Sequence, residues 1–142
     1  MWCNRILLAY DGSAASKNAL NLAVDIAKQD ETIEIIAAHV LKIYGGMAGS
    51  AQDSIIRHAQ ELSEELESML DGIPNKCRIE LLRGSSPADL LLACANDNEC
   101  DVVVMGSRGV GGAKGYLGSV SYALIQRAQN CAVLIAKERM HA

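Results

Sequence analysis

The residues with the clearest chemical reading lie in one segment, Asp101–Ser121, DVVVMGSRGVGGAKGYLGSVS. An apolar run, Val102 to Met105, breaks into a loop carrying six of the chain's twelve glycines: Gly106, Gly109, Gly111, Gly112, Gly115 and Gly118. The loop leaves through Ser119-Val120-Ser121 into a segment that reads as a helix. Glycines let backbone amides close on an anion, and the first turn of a helix offers unpaired N–H groups and a partial positive charge. A buried strand, a glycine loop and a serine-started helix are the parts of a phosphate cradle. The plainer alternative is a turn rich in glycine for no ligand's sake, but this density between a strand and a helix favours the cradle. A side chain at Gly118 is expected to block the phosphate approach and to force an unfavourable backbone angle.

Two standard glycine signatures do not fit. A P-loop needs Gly-Lys-Ser/Thr after four spacers, and Lys114 is preceded by Ala113 and followed by Gly115. The dinucleotide pattern counted from Gly109 and Gly111 puts Lys114 where its third glycine belongs. Other chemistry is sparse. His39, His58 and His141 are far apart and make no metal spacing. The five cysteines are odd in number, widely spaced and without C-x-x-C, which predicts a reduced, cytoplasmic chain. Cys94, Cys100 and Cys131 sit in or beside apolar segments and read as core filler. No catalytic triad stands out, and neither catalytic nor metal-ligating residues are assigned.

The elements that must position this loop follow from length and pattern. With 142 residues, half of them hydrophobic and 21% charged, residues 1–142 read as one globular domain with a real core. A net charge of −4 argues against nucleic acid as a partner. No apolar run approaches the roughly 18 residues of a membrane span, and the start lacks the shape of a secretory signal. The chain then alternates. RILLAY (5–10), ETIEIIAAHVL (31–41), CRIELL (77–82), 101–105 and AVLIAK (132–137) read as strands. Residues 14–28, 51–70, a stretch opening at Ser86-Pro87, and about 119–129 read as helices. Glycines 45, 46 and 49 mark a connector before the second helix. This βαβαβαβαβ order predicts an α/β fold with a parallel sheet and helices on both faces. Ligands of such sheets bind at the carboxyl ends of the strands, at the switch point. Asp11 ends the first strand, and by itself is a turn residue. If the first and fourth strands are neighbours, it faces the glycine loop across one crevice.

The chain resembles the universal stress protein family over essentially its whole length. The resemblance rests on RILLAYDGSAAS, AAHV, GSSPADLLLACA, DVVVMGSRGVGG and GSVSYALIQRAQNCAVLIAK, in that order. It implies an open five-stranded sheet of order 3-2-1-4-5, akin to the adenine nucleotide alpha hydrolases, which places the first and fourth strands together. ATP-binding members carry Gly, two residues, Gly, nine residues, Gly, then Ser or Thr. Gly106 to Gly109 and Gly118-Ser119 match the two ends, but eight residues separate Gly109 from Gly118, one fewer than the pattern. By the resemblance, Asp11 and the backbone at Val40 face adenosine, and Ala9 and Met105 line its walls. Gly106, Gly109, Gly118, Ser119, Val120 and Ser121 hold ribose and phosphates, with Arg108 and Lys114 as charge partners. A Mg or Mn ion would arrive on the ATP phosphates.

The resemblance also implies homodimers built through the last strand. The apolar run Ala132–Ile135 at a sheet edge invites the same pairing, with Val133 and Leu134 at the contact. Three functions follow: an ATP-binding stress or signalling module, a dimeric interaction module that binds no nucleotide, and a slow ATP hydrolase. The crevice as read holds no histidine or cysteine, so any hydrolysis is expected to be slow. Protein partners other than a second copy are not identified.

Overall fold

A computed structural model describes residues 2–108 and 117–138 of the chain. Nine elements alternate in it: β1 (Arg5–Ala9), α1 (Ala14–Ala27), β2 (Glu34–Lys42), α2 (Gly49–Leu70), β3 (Cys77–Gly84), α3 (Pro87–Asp97), β4 (Val102–Gly106), α4 (Ser119–Arg127) and β5 (Ala132–Ala136). The strands form one parallel sheet of order β3-β2-β1-β4-β5.

Each face of the sheet carries its own core. Ile6, Leu8, Ile35, Ala37, Val102 and Val104 point to one side, where they meet Ala19, Ala23 and Ala27 of α1 and Leu62, Leu66 and Leu70 of α2. Leu7, Ile36, Ala38, Val103 and Met105 point to the other, under Leu91, Cys94 and Ala95 of α3 and Leu124 of α4. The alternation is the period of two expected of a strand, and it explains why β1 and β4, covered on both sides, are written almost wholly in aliphatic residues. The alanine stripe of α1 brings that helix close to the sheet.

Some boundaries differ from the sequence reading, each for a local reason. β2 starts at Glu34, because the Asp30 carboxylate takes the backbone N–H and hydroxyl of Thr32 and holds residues 30–33 in a turn. β3 lies at the sheet edge as expected and extends to Gly84, but its exposure follows the alternating composition only as far as Ile79: Glu80 is half-buried and Leu81 exposed. Ser86 precedes α3 and Pro87 occupies its first turn as expected, but the Ser86 hydroxyl donates to Asp89 instead of capping the helix. The residue that caps α4 is Gly118, so Ser119 is the first helical residue.

Candidate functional site

β1 and β4 pair directly, from Ile6↔Val102 to Leu8↔Val104, so the loops that leave them open side by side at the carboxyl edge of the sheet. β1 continues toward β2 on one side and β4 toward β5 on the other, which makes this the switch point where open α/β sheets bind ligands.

The β1 exit closes on itself. The Asp11 carboxylate accepts the Ser13 N–H at 2.9 Å, and the Ser13 hydroxyl oxygen accepts the Ser16 N–H at 3.1 Å as the cap of α1. Between them Gly12 has φ +82°, a left-handed conformation suited to glycine. A side-chain carbon there would also fall 2.9 Å from Leu62 of α2.

The β4 exit is built differently. The Ser107 N–H donates to the Ala136 carbonyl at 2.7 Å, and the Ser107 carbonyl accepts the Gly118 N–H at 2.6 Å. These two bonds bring the start of α4 back to the end of β4. The buried Ser121 hydroxyl donates to the Gly106 carbonyl at 2.7 Å and fastens the first turn of α4 to the strand. Gly118 makes no side-chain cap, Ser119 is exposed and Val120 half-buried. The opening N–H groups of α4 therefore carry the partial positive charge of a helix start with no side-chain hydrogen bond from its cap residue.

The two glycines that flank this exit have unlike reasons to be glycine. A Cβ on Gly106 would lie 2.7 Å from the Ala15 Cβ and 2.9 Å from the Ser16 backbone nitrogen, so α1 packs directly on the end of β4. A Cβ on Gly118 would lie 3.1 Å from the Arg108 Cα. The unfavourable angle expected of a substitution at Gly118 is not found: its φ of −67° suits any residue, and the crowding comes from the Arg108 backbone.

Ala9, Val40 and Met105 share the sheet face under α3 and α4, where Val120 of α4 packs on the same cluster; Met105 is buried and the others half-buried. Asp11 and Ser121 are placed as described above. Arg108 is mostly enclosed, its side chain 13% exposed, and its guanidinium is ion-paired with the Glu138 carboxylate. Gly109 and Lys114 lie outside the described residues, as do the loop glycines Gly111, Gly112 and Gly115. Among the described residues no group of three or more His, Cys, Asp or Glu side chains is arranged to hold a metal ion.

Two features escaped the sequence reading. Glu138 follows β5 and had no visible link to the glycine loop. His39, expected to stand apart from any site, is buried near the carboxyl end of β2 with Nδ1 2.9 Å from the Tyr10 carbonyl, one residue before Asp11. That position follows from parallel pairing, which sets Ala9 opposite Ala38 and so brings the ends of β1 and β2 together. The His58 ring of α2 stands edge-on to it, centroids 6.0 Å apart. Burial pushes the His39 pKa down, the Tyr10 carbonyl opposes that shift, the neighbouring His58 adds to it, and Asp11 opposes it. Tyr10 itself donates its phenol to Glu65 of α2 at 2.8 Å, and burial together with that carboxylate raises its pKa. The cysteines take no part: Cys94 and Cys100 are buried in the α3–α4 core, and burial pushes the Cys100 thiol up to about 12.

Comparison with known proteins gives a consistent picture. The model of the universal stress protein family matches residues 3–137. A universal stress protein from Thermus aquaticus is 32% identical over 137 residues, covering 93% of this chain and 97% of its own. Among solved structures, the universal stress protein from Archaeoglobus fulgidus in complex with dAMP superposes with a TM-score of 0.75 at 23% identity, over 96% of this chain and 100% of that one. A universal stress protein family protein from Arabidopsis thaliana with AMP bound superposes with a TM-score of 0.72 at 18% identity, over 96% and 93%.

Proposed function

Because this chain belongs to the universal stress protein family, we propose that it is an adenine-nucleotide-binding stress-response module that takes ATP, with its Mg or Mn ion, in the crevice between the β1 and β4 exits. The observation that carries this reading is the start of α4. It sits at the switch point beside the glycine loop, and its first N–H groups have no side-chain cap. Adenosine would lie along Ala9, Val40 and Met105, with its polar edge toward Asp11. The phosphates would meet Gly118, Ser119 and Val120. The solved dAMP and AMP complexes of proteins with this fold support an adenine nucleotide as the ligand class.

The nucleotide would act as a signal. Turnover requires a positioned base, and this reading assigns none, so hydrolysis slower than about one event per second is expected. A homodimer is part of the proposal. β5 is an edge strand with Ala132 and Leu134 exposed and Val133 and Ile135 half-buried, an unpaired edge able to extend a sheet across a two-fold axis. The acidic net charge and the absence, among the described residues, of any helix long and apolar enough to cross a membrane fit work in the cytoplasm.

The decisive experiment denatures freshly purified protein, identifies any released nucleotide by chromatography, and titrates the refolded or nucleotide-free protein with Mg-ATP by calorimetry. Binding below millimolar concentration supports the module. No release and no binding at millimolar ATP would favour the nucleotide-free interaction module, for which the loop one residue short of the family pattern speaks. Light scattering at micromolar concentration tests the dimer in the same preparation.

A further inference from the structure

A carboxylate of the chain is paired with an arginine beside the start of α4. Arg108 comes two residues after β4 ends, and its Cα packs against Gly118 at the start of α4. Its guanidinium pairs with Glu138. Glu138 does not reach this position from a loose tail. The Ala136 carbonyl accepts the Ser107 N–H at 2.7 Å, and the Asn18 side-chain amide of α1 donates to the carbonyls of Lys137 and Glu138 at 2.8 and 2.7 Å. The segment carrying Glu138 is thus tied to β4 on one side and to α1 on the other, and its carboxylate is held ready for Arg108.

We propose that Glu138 sets how many phosphates the crevice accepts, acting as an internal competitor that the outer phosphates of a nucleotide must displace from Arg108. This rests on the nucleotide-binding reading above. Arginine holds carboxylate and phosphate by the same forked, charge-assisted hydrogen bonds, so the two anions compete for one partner. A monophosphate can be met by the start of α4 alone and leaves the Arg108–Glu138 pair standing. A triphosphate carries further charge to the same end of the crevice. It must either recruit Arg108, releasing Glu138 to water, or bind without that guanidinium, which stays paired with Glu138. Asn18 becomes a positioning residue, because it fixes the backbone from which Glu138 competes.

The test is calorimetric titration of wild type, Glu138→Gln and Asn18→Ala with AMP and, separately, with Mg-ATP. Thermal melts would verify that both variants fold. Glu138→Gln is expected to tighten Mg-ATP about fivefold or more, within the usual range of coupling between sites, while AMP affinity changes less than twofold. Asn18→Ala, which alters no charge, should move Mg-ATP in the same direction by a smaller factor. Raising the salt should shrink the Glu138→Gln advantage. Equal gains for AMP and Mg-ATP, or unchanged Mg-ATP affinity in a protein that binds AMP, would overturn the competitor role and leave nucleotide binding intact. Failure of all three proteins to bind either nucleotide would overturn the nucleotide reading and this inference with it.

Discussion

Two neighbouring strands leave the same edge of the sheet, and they treat the helix that follows in opposite ways. At the β1 exit, Asp11 and Ser13 turn inward and take the N–H groups at the start of α1. At the β4 exit, Gly118 precedes α4 and supplies no side-chain cap, and the Ser121 hydroxyl reaches back to the strand. A capped helix start is complete and adds stability, whereas an uncapped one keeps donors available for an anion. The contrast places rigidity on one side of the crevice and binding capacity on the other, on adjacent strands of one sheet.

The largest expected effect comes from the point where the two exits touch. Gly106 ends β4, and α1 packs on it so closely that an added methyl meets the Ala15 backbone at 2.8 Å and the Ser16 nitrogen at 2.9 Å. Backbone cannot rotate out of the way, so Gly106→Ala should cost about 2–3 kcal/mol, as overpacked cores do. Urea unfolding should show a lower midpoint with an unchanged slope. An unshifted midpoint would mean that the exits are not in contact as described. Gly118→Ala meets looser contacts among the described residues, the Arg108 Cα at 3.1 Å and the Ser107 carbonyl oxygen at 3.4 Å. It should cost about 1 kcal/mol or less of stability, at the lower end of overpacking, and act chiefly on Mg-ATP binding.

A serine on each side sharpens the contrast. Ser13→Ala removes the α1 cap and should destabilise the fold by about 1 kcal/mol. Ser119→Ala removes an exposed hydroxyl that caps nothing. It should leave the unfolding midpoint almost unchanged and weaken Mg-ATP by the worth of one hydrogen bond, about 0.5–1.5 kcal/mol. Paired melts and titrations of the two variants check this. If Ser119→Ala destabilises as much as Ser13→Ala, the two helix starts are not functionally different.

Much of this arrangement was legible in the sequence because it is periodic or local. Short apolar runs rich in β-branched residues gave most of the strands and polar–apolar alternation gave 77–82, three-and-four spacing gave the helices, and alternation of strands with helices gave the parallel sheet. Ser13 as a cap and Pro87 in a first turn were readable from neighbours alone. The features that were missed all join residues distant in sequence. Glu138 and Arg108 are 30 residues apart, and Gly106 faces α1, whose Ala15 is found only once β1 and β4 are known to pair. Gly106 reads in the sequence as a phosphate glycine, while in the fold its missing side chain makes room for a helix. His39 belongs with these. A histidine near the end of an apolar strand reads as isolated until parallel register sets it beside the end of β1.

His39 supports the smallest and most specific prediction, which concerns the rigid side of the comparison. Facing a carbonyl, Nδ1 must carry the proton, so neutral His39 has Nε2 bare, and acid would add a second proton inside the fold. Burial resists that charge first and His58 of α2 adds to the resistance, against opposing contributions from the Tyr10 carbonyl and Asp11. Leu81, opposite His39 on β3, carries no charge. The folded-state pKa is therefore below that of the unfolded chain, near 6.5. Above that value neither state binds the proton and His39 imposes no penalty. As the pH falls through it, the unfolded chain takes up a proton that the fold refuses, and stability drops until the folded-state pKa is passed. Because acid acts on the whole chain, the comparison must be with His39→Asn, whose amide can donate to the Tyr10 carbonyl but cannot ionise. Unfolding midpoints of the two proteins at pH 7.5 and pH 5.5 should show a larger acid loss in wild type. Equal losses would show that the β1 exit owes none of its acid sensitivity to His39, and that the bond to Tyr10 holds it whatever the charge on the ring.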